Sequence, residues 1–129
     1  MTHKLLTFGA LALVASASNV AAERNPSIYP AAQCAAFWLG YADYAQVSAY
    51  LDHDPRDHLR ADAYRSVAYR LATAARADID AYVSEQRPLM ETMIDAVVYG
   101  SDGPSRDVFE RLTKTCKDFG QEHPETRDL

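Results

Sequence analysis

Pro30-Ala-Ala-Gln-Cys34-Ala-Ala-Phe37-Trp38-Leu-Gly40-Tyr41-Ala-Asp43-Tyr44-Ala-Gln-Val47-Ser48-Ala-Tyr50-Leu51 is the stretch on which the fold turns. Proline suits a first helical position, and from Ala31 to Leu51 only Gly40 weakens the helix. Cys34, Phe37, Trp38, Tyr41, Tyr44, Ala45, Ser48 and Leu51 follow the i, i+3, i+4 spacing of one helical face. Ala35, Leu39, Ala42 and Val47 occupy the other side. A helix apolar over most of its circumference is central in its domain or buried in a dimer. Ala36 and Gly40 make a small-residue patch that lets another backbone approach closely.

Downstream, Asp52-His53-Asp54-Pro55 ends this helix and starts a second. Asp54 is placed as N-cap, Pro55 at the first helical position and Asp57 in the first turn. Leu59, Ala63, Val67, Ala68, Leu71 and Ala75 give the second helix its apolar stripe, with Tyr64 at the border. Helical propensity then runs unbroken to Gln86. One helix over that span would be about 47 Å long, far longer than the first. A reversal near Arg76, with Asp78 as the next N-cap, matches the helix lengths. A break at Pro88 is the alternative, because proline disfavours helix at the residue before it. The third helix then carries Ile79, Tyr82, Val83, Met90, Met93, Ile94 and Val97 up to Tyr99. Gly100-Ser101-Asp102-Gly103-Pro104 is the clearest turn. A fourth helix runs from about Ser105 to Phe119 with Val108, Leu112, Thr115, Cys116 and Phe119 on one side. Asp107 with Arg111 and Glu110 with Lys114 are acid-first i, i+4 pairs, and Gly120 suits a helix stop. Residues 121–129 read as a polar tail.

Cys34 and Cys116 are the chain's only cysteines. One lies in the first turn of the first helix, the other in the last turn of the fourth. In an up-down-up-down bundle those two ends coincide. With three helices they would stand about 30 Å apart, against the roughly 7 Å between Cα atoms that a disulfide allows. The expected architecture is therefore an all-α, small four-helix bundle closed by a Cys34–Cys116 disulfide.

Upstream, Lys4 precedes an apolar run, Leu5 to Ala15, and a small-residue stretch closing Val20-Ala21-Ala22. That order is the pattern of a cleaved secretory signal peptide over residues 1–22, too short to span a bilayer. Residues 23–30 form a polar lead and 31–120 the helical domain. Export to the periplasm or outside the cell agrees with an even cysteine count. Without the leader, 12 basic residues face 18 acidic ones. Such an acidic domain repels nucleic acid and anionic lipid, leaving a protein partner, a cationic one included, or a homodimer. No membrane insertion is expected after cleavage.

Few residues invite chemistry. His53, His58 and Asp54 are the one cluster of candidate metal ligands, but Asp54 and Asp57 serve the helix start, where the dipole opposes a cation. Trp38, Tyr41 and Tyr44 form an aromatic stripe, either core or binding surface. Asp43 interrupts an apolar helix, facing solvent or pairing with Arg65 or Arg70. A nucleophile elbow, a phosphate-cradling glycine loop and a haem-attachment motif are all missing, so neither catalysis nor a cofactor is expected.

The string Cys34-Ala-Ala-Phe37-Trp-Leu-Gly40-Tyr-Ala-Asp43 resembles the first helix of some small, disulfide-bonded periplasmic immunity proteins of the type VI secretion system. The resemblance implies a small exported helical binder and carries no site residues. The residues themselves lead to the same expectation: a non-catalytic protein-binding module of the inhibitor, immunity or chaperone-like kind. A small-ligand carrier with an inter-helix pocket is the second reading. A metal-dependent enzyme around His53 and His58 is the third.

Overall fold

A computed structural model describes residues 25–73 and 75–129. The leader at residues 1–22 lies outside the described residues. The chain enters through a π-helical segment, Ser27–Ala32, non-helical at Tyr29 and containing a cis Tyr29–Pro30 peptide. Asn25 Oδ1 accepts from both the amide and the hydroxyl of buried Ser27, which satisfies the first amide of the entry. Four α-helices follow: α1 Gln33–Val47, α2 Arg56–Leu71, α3 Arg76–Val98 and α4 Gly103–Gln121. Pro30 therefore sits in the π-helical entry, and the α-helix begins three residues later than its position suggests.

The central placement of α1 follows from its composition. It packs on α2, on α3 and on the π-helical entry, and the Cys34–Cys116 disulfide ties it to α4 with Cα atoms 5.6 Å apart. The small patch works as expected. A Cβ on Gly40 would stand 2.6 Å from Met90 Cβ and 2.9 Å from the Arg87 carbonyl oxygen, so α1 and α3 cross there nearly backbone to backbone. Where sequence spacing carries α1 on to Leu51, the helix stops at Val47. Ser48 is extended and its hydroxyl accepts the Tyr50 amide at 3.0 Å, a local bond that competes with the helical one.

Pro55 is the N-cap of α2 and Arg56 its first residue, one position later than the spacing suggests, so Asp54 stands just ahead of the cap, where its Oδ1 still accepts the Arg56 amide at 2.9 Å. The buried side of α2, however, is Asp57, Ala61, Tyr64, Val67 and Ala68, while Leu59 is 59% exposed. The inward face is thus rotated from the Leu59–Ala63 stripe, because tyrosine and alanine pack where α1 comes close. The reversal between α2 and α3 falls next to Arg76, and Pro88 lies inside α3. Extended Ala75 precedes α3, with Asp78 in the first turn rather than capping it. Ile79, Val83, Met90, Ile94 and Val97 are buried from α3.

Asp102 caps α4 by accepting from the amide and hydroxyl of Ser105, with Pro104 in the first turn. The helix begins at Gly103, two residues early. Its inward side is Phe109, Leu112, Cys116 and Phe119; Val108 and Thr115 face outward. On the wet side Lys114 pairs with Asp118, not Glu110, and Arg111 donates to the Asp107 carbonyl. Nor does Gly120 stop the helix. It is buried within it against Tyr64, and the residues beyond fold back. Thr126, 4% exposed, donates to the Gly120 carbonyl at 2.7 Å, and Glu125 pairs with Arg70 on α2. Asp43 pairs with Arg87 of α3 through two hydrogen bonds, while Arg65 pairs with Asp80. Among the described residues no helix is long and apolar enough to cross a membrane.

Candidate functional site: an aromatic cleft with a buried carboxylate

Phe37, Trp38 and Tyr41 leave α1 at successive positions of one face, and α2 runs antiparallel beside them. That places Asp57 opposite Tyr41 and Arg60 opposite Trp38. Helix α4 adds Phe109, Lys117 and Gly120, and the 50–54 loop and the folded-back C-terminal segment complete the rim. Together they enclose a cleft of about 760 Å³.

Its wall is aromatic. Ring centroids lie 5.2 Å apart for Phe37 and Trp38, 5.7 Å for Trp38 and Tyr41, and 5.7 Å for Phe37 and Phe109, in edge-on or tilted arrangements. The Arg60 guanidinium carbon lies 5.0 Å from the Trp38 ring centroid, a cation–π contact.

Buried residues Phe37, Asp57, Tyr64 and Gly120 form the floor. Arg60 Nη1 donates to Asp57 Oδ1 at 2.6 Å and stands 3.7 Å from Asp54. Asp57 is 2% exposed. Among the described residues, neither its Oδ2 nor Trp38 Nε1 has a hydrogen-bond partner. Buried polar atoms without partners are rare in folded proteins and call for a reason.

Burial raises the Tyr41 hydroxyl above its ordinary range, with neighbouring Asp57 adding to the effect. Burial likewise raises Tyr64. Both phenols stay protonated at neutral pH and serve as hydrogen-bonding groups rather than bases. Asp54 is held down to about 2 by its hydrogen bonds from Arg56.

The aromatic stripe therefore divides. Trp38 and Tyr41 line the cleft, whereas Tyr44 is buried outside it, near Ser48 and Asp95. Of the metal candidates, Asp54 is engaged by Arg56, His53 is exposed and His58 is half-buried. Among the described residues no group of three or more histidine, cysteine or acidic side chains is placed to hold a metal ion. Asp57, Arg60 and Tyr64 were the residues sequence spacing missed. Their positions i, i+3 and i+7 share one helical face, a signal that the more apolar Leu59 and Ala63 obscured. No protein-family model, curated protein sequence or solved structure matches this chain.

Proposed function

We propose that this chain is an exported, non-catalytic binding protein that receives another protein at the Trp38–Tyr41 cleft. The observation that carries the reading is the concave placement of tryptophan and tyrosine, the side chains that dominate binding surfaces. The apolar surface also continues past the cleft. Tyr50 lines its rim, is 67% exposed, and meets Tyr99, 72% exposed, in a tilted pair with ring centroids 6.3 Å apart. An exposed aromatic rim outside a cleft suits a partner larger than the cleft itself. The acidic balance of the chain favours a cationic one. Export is supported by the signal-like N-terminus and by the disulfide, which fits an oxidising compartment.

The test is capture from an extract of the exporting compartment, comparing the natural chain with Trp38→Ala and Tyr50→Ala variants whose helicity is checked by circular dichroism. A protein retained by the natural chain and lost from both folded variants is the expected result. Equal retention by the variants, or none at all, overturns the reading.

A small-ligand carrier is the second reading, favoured by the cleft's volume, which lies within the range typical of small-molecule sites, about 300–1,000 Å³. Native mass spectrometry of protein purified without denaturation tests it. A co-purifying small molecule supports a carrier, and its absence removes one.

A further inference from the structure

The cleft's polar groups are unevenly matched, and the mismatch specifies a ligand chemistry. Asp52, Asp54 and Asp57 line it with Arg60 and Lys117, and Arg56 behind the lining pairs with Asp54. Arg60 is committed: it donates to Asp57 Oδ1, lies near Asp54 and rests on the Trp38 ring. Asp57 Oδ2 is left as a buried, negatively charged acceptor with no donor among the described residues. A carboxylate oxygen in that position is satisfied by a donor, and a charged donor satisfies it best. An anionic ligand would bring no donor to this oxygen and would face its carboxylate. A metal ion would find one carboxylate oxygen where several ligands are needed. A quaternary ammonium has no N–H to give.

We infer that the cleft recognises a protonated primary amine on an apolar stem, the ammonium donating to Asp57 Oδ2 and the stem lying along Phe37, Trp38, Tyr41 and Phe109. Trp38 Nε1 is the complementary feature: a buried donor that takes an oxygen on the same ligand. The inference rests on the cleft being the working surface and adds what that surface selects. A free alkylamine and a lysine side chain presented by a partner protein share this chemistry.

Trp38 is the only tryptophan in the chain, so its fluorescence reports the cleft directly. The probes are hexylamine, hexanol, hexanoate and Nα-acetyl-lysine N-methylamide, titrated into the full mature protein at pH 7. A charge-assisted hydrogen bond predicts hexylamine binding at least about tenfold tighter than hexanol, with hexanoate weakest. Asp57→Asn brings that ratio to within about twofold, since it removes the charge and keeps the shape. Should Asp57→Asn fail to fold, the amine-to-alcohol ratio of the natural chain decides alone. Tighter binding of the lysine derivative assigns the amine to a partner's side chain, and tighter binding of hexylamine assigns it to a free ligand; both support the inference. Equal affinity for hexylamine and hexanol overturns it while leaving the cleft as a binding surface. A folded Asp57→Asn protein that keeps the full ratio also overturns it. So does a set of probes that leaves Trp38 unmoved, and the capture experiment with Trp38→Ala then judges the wider reading separately.

Discussion

The hydroxyl of Tyr64 donates to the carbonyl oxygen of Cys116 at 2.5 Å, joining α2 to the last turns of α4 beside the disulfide. Residue 64 is 6% exposed, so water does not replace the bond if it is lost. Tyr64→Phe keeps the ring and removes only the donor. The expected cost is about 1 kcal/mol, the net value of a buried neutral hydrogen bond. Urea denaturation checks it: the midpoint falls and the slope stays the same, because the surface exposed on unfolding is unchanged.

Gly40 makes a sharper prediction. A methyl group there meets Met90 Cβ at 2.6 Å, the Arg87 carbonyl at 2.9 Å and the Glu91 amide nitrogen at 3.0 Å. Two of the three are backbone atoms and cannot rotate aside. Overpacking of a close helix crossing costs about 1–3 kcal/mol, more than the helix propensity gained by alanine. Gly40→Ala therefore lowers the denaturation midpoint. Gly103→Ala, where an added Cβ meets nothing within 4 Å, serves as the control and leaves it nearly unmoved.

The Cys34–Cys116 bridge closes a loop with a sequence separation of 82. Constraining an unfolded chain over that length is worth about 4.5 kcal/mol in the chain-entropy description. Reduction, or replacement of both cysteines by serine, lowers the melting temperature accordingly. A reduced protein that melts with the oxidised one would show the bridge to be redundant with packing. Thiol titration of unreduced protein should find no free cysteine, both being paired.

How far these features are legible in sequence depends on the range of the interactions that make them. The α1 face, the Gly40 patch and the Asp102 turn rest on neighbours within a few positions, and spacing reveals them. The meeting of Cys34 and Cys116 is non-local, yet helix count restricts it enough to be derived. The inward side of α2 is different. Leu59 is the more apolar residue in sequence, and Tyr64 fits the core where Gly120, 56 positions on, leaves room for the hydroxyl end of its ring. The same holds for the C-terminal segment. Its composition is polar, and what docks it is a Thr126 bond to Gly120 and a Glu125 pair with Arg70. Asp57 is hidden for the opposite reason. An acid in a first helical turn satisfies the helix dipole, so nothing local signals that its carboxylate is buried.

Acidification supplies the last prediction. Asp54 is held at about 2 by hydrogen bonds from Arg56. Asp80, Asp102 and Glu125 are also lowered, chiefly by hydrogen bonds from Tyr69, Ser105 and Arg70 respectively. In the unfolded chain these carboxyls return to their ordinary range near 4, so on acidification the unfolded state takes up protons first. Their contribution is present in full above that range and is lost as pH falls from about 4 towards about 2. Melting temperatures measured from pH 7 to pH 2 should stay level in their response to these groups and then fall through that window. Asp54→Asn should make the fall shallower. Because the pairs lie at the surface, added salt should weaken them at neutral pH and flatten the same slope. A melting temperature that drops instead between pH 7 and pH 5 would assign acid sensitivity to histidine rather than to these carboxylates.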